Sequence, residues 1–413
     1  MVATRHPQDR GEGQLMARRP RGADGISAAG DAWGSALTDA AVAHRSWTLD
    51  QQILLTQTAA PTGNESARAR LVQLALRQAG SPTVRLDAVG NVCDVHGEGT
   101  VPPLVCMAHL DAVYEAGAPV GMVPVHRDGP VVRAPGIGDN GRGLAALLTL
   151  ARLLRAPQVA ARLMRPVHLV ATVGEEGDGN LRGARAWFNE AARQGVSPHA
   201  VIAVDGPGDE TIVHHAAGSH RLRVTMRGDG GHSWVHAHAA NPIHALGEFI
   251  AAAARLGDAH RRDVVVHVTR MQGGESLTAV PQQAWVEIDV RGTSAVRLER
   301  VRQELRRLVA RLTPPSLRAE FTVLGDRPAG VLDASHPLVQ AAVRATEAVG
   351  CCPRSAVASS DANIALSRGI PAIALGAGGA GGGAHTRDEW YDDTHAVRGL
   401  DRLIRLVVQL AAS

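Results

Sequence analysis

Leu104-Val105-Cys106-Met107-Ala108-His109-Leu110-Asp111 and Val167-His168-Leu169-Val170-Ala171-Thr172-Val173-Gly174-Glu175-Glu176 decide the fold. Each begins with a short, mainly apolar run that does not alternate with polar residues. Such a run is suited to a strand covered on both faces, the usual state of a parallel strand between helical layers. Ala200–Val204 and Ala372–Leu375 repeat the pattern. Between these runs lie segments of helical period, Gly143–Leu154 and Arg182–Gln194, and strands alternating with helices indicate an α/β layer fold with a parallel-rich sheet.

Upstream, Leu49–Gln57 and Ala67–Ala79 read as helices split by the turn Pro61-Thr62-Gly63-Asn64. Thr83–Leu86 and Val92–Val95 read as strands. Residues 1 to about 40 are rich in Gly, Ala, Arg and Asp with no lasting apolar period, and are expected to form a disordered extension. The catalytic layer then starts at residue 41.

Near Ala216 the pattern changes. Arg221–Arg227, Val264–Met271, Ala284–Val290 and Arg318–Leu324 read as strands, with helices at Asn241–Leu256 and Ala295–Leu312. That order, β-α-β-β-α-β, is the ferredoxin-like arrangement. It predicts an inserted α+β domain over 216–326, flanked by a catalytic domain in two parts, 41–215 and 327–413. In the second part Pro337–Val349, Asp361–Arg368 and Ala396–Ala412 read as helices.

Composition narrows the function classes. The 413 residues are 45% hydrophobic and 20% charged, a globular balance that can fill two cores without disulfides. The four cysteines show no zinc-knuckle or disulfide spacing, as expected in a reducing compartment. A net charge of +3, carried by arginines without a single lysine, with aromatics at only 3%, gives no reason to expect a nucleic-acid partner. No apolar run reaches the roughly 18 residues of a membrane span, and the N-terminus lacks the apolar core of a secretory signal, so a cytoplasmic location is expected.

The chemistry-bearing residues stand at strand ends, where open α/β sheets bind ligands. His109 and Asp111 follow the first strand, and Glu175-Glu176 follow Val167–Val173. Asp205 follows Ala200–Val204, and His385 comes after the glycine run beyond Ala372–Leu375. Asp139 sits in the glycine-rich turn Ala134–Gly141 before a long helix. Read alone it could be that helix's N-cap; read with the others it is a carboxylate bridging two metals. Two adjacent glutamates repel one another, and a nearby cation removes the conflict. Two histidines and at least three carboxylates suit two cations about 3.5–4 Å apart. Nitrogen and oxygen donors without thiolate favour zinc, with cobalt or manganese as alternatives. Gly376, Gly378 and Gly381 also fit a dinucleotide fingerprint, which demands a helix immediately afterwards.

His109-Leu110-Asp111, Gly138-Asp139-Asn140, Gly174-Glu175-Glu176-Gly177, Val204-Asp205-Gly206 and Gly383-Ala384-His385, in this order, resemble the co-catalytic zinc peptidases and amidohydrolases. That family includes peptidase T, glutamate carboxypeptidase, aminoacylase, acetylornithine deacetylase and succinyl-diaminopimelate desuccinylase. The resemblance spans about residues 45–413. It implies that His109 and Asp205 hold one zinc, Glu176 and His385 the other, with Asp139 bridging. It implies further that Asp111 braces His109, Glu175 is the general base and acid, and 216–326 is a lid and dimerisation domain. In that domain Gly230-Gly231-His232-Ser233 matches the histidine that reaches a neighbouring subunit's active site in a homodimer. Ser359-Ser360-Asp361-Ala362-Asn363 matches a segment near the substrate. The chain departs from the family where Asn140-Gly141-Arg142 follows the bridging aspartate, and in its longer glycine run, which suggests a mobile loop.

The expected function is therefore di-zinc cleavage of an amide bond in a small peptide, in the manner of peptidase T. An N-acyl amino acid deacylase is the enzymatic alternative. A non-catalytic metal-binding scaffold and a nicotinamide-dependent oxidoreductase are the alternatives from other classes. Arg291 could grip a substrate carboxylate, or form a surface ion pair. Asn241 could touch substrate, or cap the helix it precedes.

Overall fold

The computed structural model describes residues 28–413 other than 116, 118 and 120. Its contacts divide the chain into a larger unit, running to 215 and resuming at 332, and a smaller one over 216–331.

In the larger unit a mixed sheet runs in the order Arg85–Leu86, Val92–His96, Val167–Thr172, Leu104–His109, Ala200–Val204, Ala372–Leu375, Thr211–Ala216. The four central strands are parallel to one another, with His109 level with Thr172 and Leu375 level with Val204. Their side chains alternate between two apolar clusters. Cys106, Leu169, Ile202 and Ile373 pack on one face against helices Gly141–Leu154, Pro337–Ala348 and Ala396–Ala411. Met107, Val170, Ala203 and Ala374 pack on the other against Arg182–Arg193 and Ala362–Ser367. Burial on both faces is why these strands read as unbroken apolar runs.

The first helix, Ala28–Gln57, corrects one expectation. Residues 28–40 are helical rather than disordered, because Trp33, Leu37 and Ala41 join the cluster filled by helices Gly141–Leu154 and Ala396–Ala411. The rest of the expected extension, 1–27, lies outside the described residues. A second sheet, Ala380–Gly382, Trp390–Asp392, Val131–Arg133 and His126–Asp128, has strands of three residues each. It takes in the glycine run, so Ala380–Gly382 is a paired strand where a mobile loop was expected.

The smaller unit is a four-stranded antiparallel sheet in the order Val264–Gly273, Gln283–Gly292, Gly218–Arg227, Arg318–Arg327. Helices Pro242–His260 and Ala295–Leu312 cover one face, burying Leu222, Val224, Val286 and Ile288 against Leu246, Phe249, Val301 and Leu305. Its connectivity is the ferredoxin-like arrangement.

Cys93, Cys106 and Cys351 are buried, Cys352 is exposed, and all four are free thiols. Among the described residues no helix is long and apolar enough to cross a membrane.

Candidate metal centre

The parallel strands deliver their terminal residues to one edge of the sheet. His109 closes Leu104–His109, Glu175 and Glu176 follow Val167–Thr172 on one side, and Asp205 follows Ala200–Val204 on the other. Asp139 arrives from the turn before helix Gly141–Leu154. His385 comes from a turn in which Gly383 and His385 itself hold positive φ, +70° and +68°. For a residue with a Cβ that backbone is uncommon and clusters at functional sites.

These groups meet. Oδ1 of Asp139 lies 3.0 Å from Nε2 of His109, and Oδ2 lies 3.2 Å from Nε2 of His385. His109 Nε2 also faces Asp205 Oδ1 at 3.7 Å, and His385 Nε2 faces Glu176 Oε1 at 2.7 Å. The arrangement is two histidine–carboxylate pairs joined through the two oxygens of one aspartate. His109, Asp139 and Glu176 each offer a ligand atom within 4.8 Å of the others.

The electrostatics define what the cluster favours. Burial opposes a charge on His109, yet its bonds to Asp111, Asp139 and Asp205 hold it well above the ordinary imidazole range. Asp139 and Glu176 pull His385 up to about 10. Burial raises Asp205, and the neighbouring Asp139 and Glu176 add to the rise. Burial would raise Asp139 too, but the two histidines outweigh it and hold that carboxyl low. The carboxylates thus favour positive charge at the imidazole edge of the cluster. Divalent cations bound by nitrogen and oxygen donors satisfy the same demand with neutral histidines, so the residues fit a metal pair.

Asp139 is not the helix N-cap. Asn140 is: its side-chain oxygen accepts the Gly143 N–H at 2.9 Å and the Gly206 N–H at 3.1 Å, and its amide donates to the Val204 carbonyl at 2.9 Å. Capping by the next residue leaves both oxygens of Asp139 to the histidines. The other residue that sets this turn apart, Arg142, is buried and donates to the carbonyls of Ala377 and Ala396 at 2.9 and 3.2 Å.

Asp111 acts mostly through other atoms than the sequence suggests. His109 Nδ1 is 3.0 Å from the main-chain oxygen of Asp111 and 3.5 Å from its carboxylate. The carboxylate itself accepts the N–H groups of Glu175 and Glu176, at 3.0 and 2.9 Å, and the Thr62 hydroxyl at 2.8 Å. Despite burial, these bonds and His109 lower its pKa to about 2. One aspartate therefore fixes both the imidazole and the backbone that carries the two glutamates. Glu175 is buried at this point, with 4% of its surface exposed.

Glu389 was not singled out from the sequence. It is 2% exposed, and its carboxylate accepts three main-chain N–H groups of the Asp139 turn: Gly136 at 2.6 Å, and Gly138 and Asp139 at 2.9 Å each. Its own carbonyl accepts the Ala134 N–H at 3.1 Å. It ties the turn of one expected ligand to the segment of another, His385. Asp361 is buried nearby, and the Thr172 hydroxyl donates to it at 2.5 Å. Burial lifts the Asp361 carboxyl to about 6, and its electrostatic partners include His109, Asp111 and Asp205.

The remaining expected residues belong to the smaller unit. His232 is exposed, in a short strand paired with Ala279–Val280, and its Nδ1 accepts the Trp234 N–H at 3.2 Å. Arg291 is exposed and bonds Asp289 at 2.7 Å. Asn241 caps helix Pro242–His260 by accepting the Ile243 N–H at 2.8 Å. The dinucleotide alternative lacks its helix: Gly376–Gly379 lead into strand Ala380–Gly382, and the next helix begins at Ala396.

Comparison with known proteins identifies the family and the fold. Residues 105–409 match the model of the peptidase family M20/M25/M40. A search of curated protein sequences finds no match. Among solved structures the chain is similar to the aminopeptidase PepT of Bacillus cereus, at 19% identity over 89% of this chain and 99% of that one, with a TM-score of 0.71. A tripeptidase of Staphylococcus aureus gives 19% identity, 89% and 98% coverage, and a TM-score of 0.72. A dinuclear metal-binding peptidase from the M20 family of Bacillus subtilis gives 19%, 89% and 98%, and 0.67. At such identities the likeness is one of fold.

Proposed function

The chain belongs to the peptidase family M20/M25/M40 and is a metal-binding hydrolase of amide bonds, and on that premise we propose that it cleaves short peptides with two zinc ions, in the manner of peptidase T. The observation that carries this reading is Asp139, whose two oxygens face two different histidines, each with a further carboxylate. His109 and Asp205 would hold one ion and Glu176 and His385 the other, with Asp139 shared between them. The similar folds of an aminopeptidase and a tripeptidase support small peptides as substrates.

When bound, such a metal pair polarises a carbonyl oxygen and lowers the pKa of water toward about 7. Glu175 takes the proton from the attacking water and returns it to the leaving amine. Its neighbour Glu176 is a ligand, and because successive side chains diverge, one strand end supplies both groups. The Asp111 carboxylate holds the two N–H groups of that strand end and keeps Glu175 in place. His232, offered across a homodimer by the partner subunit, donates to the carbonyl oxygen as charge develops there. In this reading residues 216–326 are the lid and the dimer contact. Arg291 is the lid cation for a substrate carboxylate once it leaves Asp289.

Glu175→Ala tests the assignment. The variant should bind metal as the wild type does and lose nearly all turnover; wild-type turnover in a metal-loaded variant would refute it. A panel of short peptides beside N-acyl amino acids, assayed with added zinc, separates the peptidase from the deacylase.

A further inference from the structure

A cavity of about 370 Å³ opens in the larger unit beside Asp139 and Asp205. Val213, Ala374 and Leu375 line it from two neighbouring strands, Pro207 from the turn after Asp205, and Trp390 from the small sheet. The glycine run builds the remaining wall. A Cβ at Gly376 would stand 2.1 Å from the Pro207 carbonyl, one at Gly381 2.6 Å from Pro207 Cγ, and one at Gly382 3.0 Å from Trp390 Nε1. A side chain at Gly376 or Gly381 would overlap Pro207 and one at Gly382 would press on Trp390, so Pro207 and Trp390 pack directly on backbone and shape the space.

Its charges are unusual in kind. Asp139, Asp205 and Glu389 border it, and among the described residues no arginine or histidine does. Asp139 and Asp205 are committed to the histidines and Glu389 to three N–H groups. Beyond the two proposed ligands Asp139 and Asp205, an acidic group in the cavity meets the Glu389 carboxylate and no cationic side chain of the wall. A basic group loses its water and finds no carboxylate without a prior partner. An apolar group loses nothing and buries its surface.

We propose that this cavity receives the side chain next to the scissile amide, and that it selects an uncharged, apolar side chain of leucine to phenylalanine size. The substrates are then neutral peptides rather than acidic or basic ones. This rests on the reading that the amide is cleaved at the His109–Asp139–His385 cluster.

The test uses the full-length, zinc-loaded protein and two peptide series, X-Ala-Ala and Ala-X-Ala, with X as Gly, Leu, Phe, Glu or Lys. At one of the two positions kcat/KM for Leu or Phe should exceed that for Gly, Glu and Lys by about 100-fold. Thr211 is an exposed residue on the wall of the cavity, so Thr211→Arg should fold and place a cation there. It should raise the Glu-to-Leu ratio of kcat/KM at that position by about tenfold or more while metal content stays at the wild-type value. Equal rates for every X at both positions, or a Thr211→Arg ratio equal to wild type, would overturn the proposal while leaving the hydrolase reading intact. Failure of the zinc-loaded wild type to cleave any peptide of either series would overturn the peptidase reading and this proposal together.

Discussion

Replacing Glu389 by alanine removes the acceptor of two buried and one part-buried N–H groups at once. A buried donor left without a partner costs about 1–3 kcal/mol. Three of them set an upper range of about 3–9 kcal/mol, and water entering the vacated space recovers part of it. The net loss should therefore be about 3–5 kcal/mol of unfolding free energy. Glu389→Gln keeps the shape and one carbonyl oxygen. That oxygen can still serve Gly138 and Asp139, while the new NH2 opposes the Gly136 N–H, so this variant should lose about 1–3 kcal/mol. The turn carries Asp139, so zinc affinity should fall as well, by about 10–100-fold, as it does when the partners of metal ligands are removed. Urea unfolding in the presence of a chelator measures the first effect, and competition with a chromogenic chelator measures the second. An alanine variant within about 1 kcal/mol of wild type, or a glutamine variant as damaged as the alanine one, would refute the reasoning.

Two further outcomes follow from other contacts. Burial holds the Asp361 carboxyl up at about 6, above the roughly 3.9 of an unfolded chain. The native state therefore keeps this proton to higher pH, and the associated stability is full below about pH 4 and lost as pH rises through 6. Asp361→Asn should flatten the fall in urea midpoint between pH 4 and 6; the same slope in variant and wild type would count against it. If His232 serves the partner subunit's site, Glu175→Ala and His232→Ala proteins, each nearly inactive, should regain activity on mixing and exchange of subunits. Mixtures no more active than their components would rule out a shared site.

The parallel core was legible because its signal is local. Ala200–Val204 and Ala372–Leu375 are short apolar runs, and burial on both faces leaves no other pattern to read. The ligands were legible as a set because each follows such a run. The part of helix Ala28–Gln57 before Leu49 was hidden because its stability comes from Leu37 and Ala41 packing on helices far along the chain, with little periodicity of its own. The three-residue strands of the small sheet are too short to show a period. Glu389 was hidden for a different reason. Its partners are main-chain N–H groups, which any sequence supplies, so only the acid itself is visible, four residues past His385. Asn140 stood beside the residue of interest, and its three bonds separate the capping role from the ligand role, which the sequence left open at Asp139.

The most direct test is the metal content of the purified full-length protein after equilibration with zinc and removal of the excess. The account predicts about two ions per chain, falling by about one in Asp205→Ala and in Glu176→Ala and by more in Asp139→Ala, which removes a ligand from both. A folded wild-type chain that retains no divalent metal, or an Asp139→Ala variant that retains both ions, would contradict it.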